Sequence, residues 1–121
     1  LLTGKFTKDS TFESDDHRSF NRNGEAFNVG ETFGGLDFQK GVELSDELNW
    51  IEKGRGNRTR AAIKWILQQE GVSSVIPGFR NVKQVEDTLE ALNAKEFSQE
   101  ELQTLKGFYE KEVHAHIRGA Y

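Results

Sequence analysis

The sequence predicts an α/β fold that is mostly helical in the residues present, and three observations predict it. Several stretches carry apolar residues at helical spacing. One short β-branched run, residues 72–76, has the composition of a strand buried on both faces. The resulting order of helix, helix, strand, helix, helix is not a closed fold, because one strand cannot satisfy its own backbone donors and acceptors. The chain therefore reads as a partial single domain over residues 1–121. Its opening on Leu1-Leu2-Thr3 and its lack of methionine point the same way, to the C-terminal portion of a longer protein.

Taken in order, Leu1–Phe6 reads as the exit from a strand. Thr7–Asp37 is rich in Gly, Asn, Asp and Ser and has no sustained period, so it reads as a long loop with one helical turn. Phe12, Phe20, Phe27 and Phe33 recur through it, which suits a loop packed on a body as an ordered lid. Phe38–Lys53 is expected to be a helix with Asp37 as its N-cap and Leu44, Leu48 and Ile51 on one face. Gly54-Arg55-Gly56 ends it. A second helix spans Arg58–Gln69 behind Asn57 as N-cap, with Ala61, Ala62, Trp65 and Ile66 as a buried stripe.

The strand at 72–76 then turns through Pro77-Gly78. Asn81 caps the next helix, and Gln84 follows at capping-box spacing. Ser98 and Glu101 form a second capping box, with Phe97 and Leu102 placed for a hydrophobic staple. The tail, Val113–Tyr121, is polar and expected to be loose.

Composition narrows the function. Acidic residues number 20 and basic residues 16, interspersed along the chain, for a net charge of −4. That argues against a nucleic-acid surface, which needs a basic patch. No run has the length of a membrane span and no signal peptide is visible, so a cytoplasmic location is expected. The absence of cysteine removes thiolate chemistry and disulfides. His114 and His116 lack a carboxylate or cysteine to complete a metal site and read as surface histidines. Asp15-Asp16 reads as solvated loop charge. Glu96, Glu100 and Glu101 read as charges that complement a helix start.

The segment VSSVIPGFRNVKQVEDT, residues 72–88, carries the strongest chemical signal. A helix start leaves backbone N–H groups without internal partners, and the helix dipole makes them partly positive. A phosphate is stabilised there. Arg80 adds a fixed charge with a bidentate donor fork, and Gly78 permits close approach. A surface arginine beside an ordinary turn is the alternative reading of the same residues.

IPGFRNVKQVED resembles the cofactor-binding segment of the aldo-keto reductases, whose pattern is roughly I-P-G-x-x-x-x-x-Q-x-x-E-N. LLTGKF, at residues 1–6, resembles the loop after the seventh barrel strand of that family. DDHRSFNRNGEAFNVGETF, at residues 15–33, resembles a long loop of its bacterial members. The three matches stand in the family's order and cover nearly the whole chain.

The resemblance implies the last strands and helices of a (β/α)8 TIM barrel with its site at the C-terminal ends of the strands. It implies an oxidoreductase that reduces aldehydes or ketones to alcohols with NADP as cofactor. It implies that the family's catalytic tyrosine, lysine, aspartate and histidine lie upstream of the matched region, so no catalytic residue is expected here and the segment alone is expected to be inactive. By resemblance, Leu2, Thr3, Gly4 and Lys5 lie along the pyrophosphate, and Arg18 folds over the adenine end. Gly78, Phe79 and Arg80 meet the 2′-phosphate, with Gln84, Asp87 and Thr88 near the adenosine. Asp87-Thr88 replaces the family's usual Glu-Asn; Asp is one methylene shorter and Thr offers a hydroxyl where Asn offers an amide, so weakened or replaced contacts to the adenine, and with them a changed affinity, are expected. The expected partners are a small carbonyl substrate and, because a lone strand lacks neighbours, a second copy of the chain. A nucleotide-binding regulatory subunit of the same barrel and a helical interaction protein without a cofactor are the competing readings.

Overall fold

Short polar side chains start the helices of this protein, as the sequence leads one to expect at Asp37, Asn57, Asn81 and Ser98; Asp16, read from the sequence as solvated loop charge, proves to be a cap as well. In the computed structural model, which describes residues 1–22, 26 and 32–118, Asp16 accepts the Arg18 N–H at the start of α1, His17–Phe20. Asp37 Oδ1 accepts from Lys40 N at 3.1 Å at the start of α2, Phe38–Glu47. Asn57 caps α3, Arg58–Leu67, through the Arg60 N–H, and Asn81 caps α4, Val82–Leu89, through the Gln84 N–H. At α5, Gln99–Phe108, the capping box is reciprocal: Glu101 N donates to Ser98 Oγ at 3.2 Å and Ser98 N donates to Glu101 Oε2 at 2.8 Å. Each cap satisfies an N–H group that the helix cannot satisfy itself.

The chain divides into two compact units. One comprises Leu1, Thr3–Glu47 and Thr104–Tyr121, the other Leu2 and Leu48–Gln103.

The first unit is built on Phe38, which is fully buried. Phe33, Phe12 and Phe6 surround it at ring-centroid distances of 4.9, 5.6 and 6.4 Å. The edge-on geometry of the Phe6 and Phe12 contacts sets positive ring edges against negative ring faces. Of the aromatics in the long loop, Phe12 and Phe33 thus pack, whereas Phe20 stays about half exposed and Phe27 lies outside the described residues. Gly41 is bare because a Cβ there would sit 2.6 Å from Leu1 Cδ1.

Phe33, Gly34 and Gly35 take φ values of 54°, 64° and 76°, a left-handed run that glycine tolerates and Phe33 does not adopt readily. This turn aims the Gly35 carbonyl at Arg118, which donates to it from its backbone N–H at 3.0 Å and from Nε at 3.3 Å. The tail is therefore not loose as far as Arg118. Tyr109–Val113 winds as a π-turn and His114–His116 as a 3-10 turn before the chain docks.

The second unit is organised by Arg55, whose side chain is fully buried. It donates to the carbonyl oxygens of Ile51, Lys53, Lys95 and Glu96 and to Glu101 Oε2 at 2.7 Å. Its guanidinium lies 3.6 Å from the Phe97 ring centroid. Burying a charge is costly unless it is paired and fully hydrogen-bonded, and here it is both. Ile51, Ala61, Ala91 and Phe97 are the buried apolar residues of this unit.

Three further expectations fail over residues 38–76. The helix expected over Phe38–Lys53 ends at Glu47 and is followed by a separate 3-10 turn, Asn49–Glu52. Its i→i+3 bonds tighten the chain and deliver Arg55 to the interior, a tertiary demand that overrides propensity.

Trp65 is 40% exposed and not core; of its predicted stripe only Ala61 is fully buried. An indole is too large for the shallow cover this unit provides.

The strand at 72–76 is absent, and no strand occurs among the described residues. Val72 N closes a turn onto Gln69 O, and Ile76 is 95% exposed. A β-branched run becomes a strand only where neighbours accept its backbone N–H groups and donate to its carbonyls. Here no neighbouring strand offers them.

Candidate functional site

The approach to α4 is an exposed chain segment. Ile76, Gly78, Phe79 and Arg80 are all exposed, with Phe79 at 44%. Gly78 is not in the left-handed region, and a Cβ built on it meets no protein atom within 4 Å. Packing within the unit therefore does not require the glycine; its effect is to leave the ground before α4 open.

Gln84 reaches back so that its Oε1 accepts the Arg80 N–H at 2.7 Å, while Asn81 Oδ1 accepts the Gln84 N–H at 2.9 Å. The two amides together fix the backbone of residues 80–84. Gln84 Oε1 is thereby engaged in holding Arg80 in place; the capping-box spacing leads one to expect the Asn81 N–H as its donor, and the structure gives it the N–H one residue earlier.

Beyond that cap, the first-turn N–H groups of Val82 and Lys83 have no backbone acceptor among the described residues, as the geometry of any helix start dictates. The Arg80 guanidinium has no hydrogen bond or ion pair among the described residues. An unengaged guanidinium carried two residues ahead of unengaged helix N–H groups is a set of donors of the kind that suits a dianion.

Asp87, one turn further along α4, is engaged elsewhere. Arg60 donates to its Oδ1 from Nε at 2.9 Å and also from Nη2, and Asn57 Nδ2 donates to Oδ2 at 3.2 Å. Chiefly through the hydrogen bond from Arg60, its carboxyl is held below the usual carboxylate value. Asp87 thus ties α4 to α3 and its cap. Sequence reading missed this partnership, because Arg60 and Asp87 stand far apart in the chain. Thr88, beside it, is half-buried.

The remaining candidates lie near the start of the chain. Leu1–Gly4 is a turn closed by Gly4 N donating to Leu1 O at 3.0 Å, with Gly4 at φ 68°, a conformation that suits glycine. Leu2, Thr3 and Lys5 are exposed. The Lys5 ammonium lies 5.8 Å from the Phe6 ring centroid and has no carboxylate partner among the described residues.

Arg18 is held more firmly. Asp16 accepts from its Nε at 2.8 Å and from Nη2, and its guanidinium carbon lies 4.7 Å from the Phe12 centroid. Of the candidates, Thr3, Gly4, Lys5 and Arg18 fall in the first unit, and Leu2, Gly78, Phe79, Arg80, Gln84, Asp87 and Thr88 in the second.

Among the described residues, no group of three or more His, Cys, Asp or Glu is placed to hold a metal ion. Nor is any described helix long and apolar enough to cross a membrane.

The aldo/keto reductase family model matches residues 1–110. The chain belongs to the aldo/keto reductase family, a family of oxidoreductases whose fold is the TIM barrel and whose members generally use NAD(P)H. Among curated proteins and solved structures, none matches the chain.

Proposed function

We propose that this chain supplies the nucleotide grip of an NADP-dependent reductase that converts aldehydes or ketones to alcohols. The observation that carries the reading is that Arg80, two residues ahead of the open first turn of α4 and with its backbone N–H held by Gln84, has an unengaged guanidinium among the described residues. A 2′-phosphate brings two negative charges to such a donor set, and a 2′-hydroxyl brings none. The site therefore favours NADPH over NADH.

Lys5 and the Gly4 turn fit a pyrophosphate: one supplies a point charge and the other a close backbone approach. Leu2, Thr3, Phe79 and Thr88 are proposed contacts along the same cofactor. Arg18 is proposed to meet it from the long loop, and Gln84 to act through Arg80. Asp87 is proposed to lie close to the adenosine while it holds α4 against α3. When bound, the cofactor supplies the hydride; this chain's residues bind and orient it. The proposed substrate is a small-molecule carbonyl, and the proposed location is the cytoplasm.

Calorimetric titration of the intact protein with NADPH and with NADH tests the reading. Binding of NADPH at least about tenfold tighter than NADH is expected, since a hydrogen bond to a charged group contributes about 1.5–3 kcal/mol. Equal affinities would remove the 2′-phosphate from the Arg80 site, and no binding of either would remove the nucleotide.

A further inference from the structure

The long loop holds one charged side chain in an unusually complete mount. Arg18 meets Asp16 edge to edge: Nε donates to Oδ1 at 2.8 Å and Nη2 donates to Oδ2. The same Oδ1 accepts the Arg18 backbone N–H at 2.9 Å, so the carboxylate is itself locked into the turn. One face of the guanidinium is set over aromatic rings, 4.7 Å from the Phe12 centroid and 5.5 Å from that of Phe6. Phe12 in turn packs edge-on against the fully buried Phe38. Few degrees of freedom remain for a side chain that is otherwise among the most flexible.

This mount occupies Nε and one side of Nη2. The Nη1 donors have no partner among the described residues, and about a third of the side chain is exposed. The arginine is thus fixed with its outer edge unused. An exposed ion pair contributes little to stability by itself, so a bidentate clamp backed by two rings is better explained by what it orients.

We propose that Asp16 is a positioning residue for cofactor binding: it holds Arg18 with the Nη1 edge presented to an acceptor on the bound nucleotide. The inference rests on the proposed reading that Arg18 meets the cofactor, and it adds the residue that makes Arg18 ready to do so. Two effects oppose each other. Asp16 puts a negative charge near an anionic ligand, which weakens binding, and it prepays the immobilisation of a long side chain, which strengthens binding. The proposal is that immobilisation wins, because a carboxylate already shared between three donors of Arg18 projects little net charge outward.

The test is the Asp16→Asn substitution, which keeps a good helix N-cap and so preserves the turn. NADPH affinity of the intact protein is measured by calorimetry in wild type, D16N, Arg18→Ala and the double variant. D16N is expected to bind about three- to tenfold more weakly, the range set by ordering one rotamer-rich side chain. In the Arg18→Ala background the same change is expected to have no further effect. Asp16→Glu, which restores the carboxylate, is expected to recover most of the loss.

Unchanged or tighter binding by D16N would overturn the proposal, since charge would then outweigh order. So would an equal loss from D16N with Arg18 absent, which would make Asp16 a purely structural cap. If Arg18→Ala leaves binding unchanged, the reading that Arg18 meets the cofactor fails and the proposal falls with it. A loss in Arg18→Ala without a loss in D16N overturns the role of Asp16 alone.

Discussion

Arg55 and Arg80 stand in the same unit and are treated in opposite ways. Arg55 is buried, and its donors go to carbonyl oxygens of Ile51, Lys53, Lys95 and Glu96 and to the Glu101 carboxylate. Arg80 is exposed and its guanidinium is unengaged, although the backbone beneath it is fixed by Gln84. The contrast teaches how a charge that holds a fold differs from one that the fold leaves available. A structural arginine consumes its donors internally, because a buried donor or acceptor left unpaired is costly. Arg80, proposed to meet a ligand, is held by its main chain and keeps its guanidinium unengaged among the described residues.

The largest break in this comparison is Arg55→Ala. It strands four carbonyl groups and a carboxylate near the interior, and it is expected to cost about 3–5 kcal/mol of stability, read from urea denaturation of this chain. A loss below about 1 kcal/mol would show that the Arg55 network is ornamental.

Acidification probes the same network from the other side. The Glu101 carboxyl is held below its ordinary value of 4.5, first by the hydrogen bond from Arg55 and then by the Ser98 N–H. A lowered folded-state value means that the unfolded chain binds more protons, so stability rises with pH through that range. The contribution is complete above the ordinary carboxylate range and is lost as pH falls through the lowered value. Acid denaturation of Glu101→Gln is therefore expected to be shallower than that of wild type; identical profiles would contradict the coupling. Ser98→Ala removes one member of the capping box and is expected to cost about 1 kcal/mol in thermal or urea melts.

The smallest expected effect lies on the exposed side. Ile76→Thr in this chain is expected to change stability by less than about 0.5 kcal/mol, because Ile76 is 95% exposed. A loss of several kcal/mol would mean that a sheet covers residues 72–76 after all.

The helix starts were legible in the sequence because capping is local: Asp37, Asn57, Asn81 and Ser98 each act within three residues of their own position. So was the grouping proposed to bind an anion at the α4 start, since Arg80, Asn81 and Gln84 are near neighbours in the chain. The Arg55 network was not legible, since its partners at 95–101 come from about forty residues away. The Arg60–Asp87 pair was hidden for the same reason. The strand at 72–76 misled for a physical cause: its β-branched residues state a preference, and only neighbouring strands can turn a preference into a ladder. Trp65 misled because helical spacing says which face is apolar and nothing about how deeply that face is covered.

The most direct test of the central claim is calorimetric titration of Arg80→Ala in the intact protein, with NADPH and NADH measured side by side. The account predicts a loss of about ten- to a hundredfold for NADPH and little change for NADH, the equivalent of one charged hydrogen-bonding group. Equal losses for both cofactors, or none for either, would contradict it.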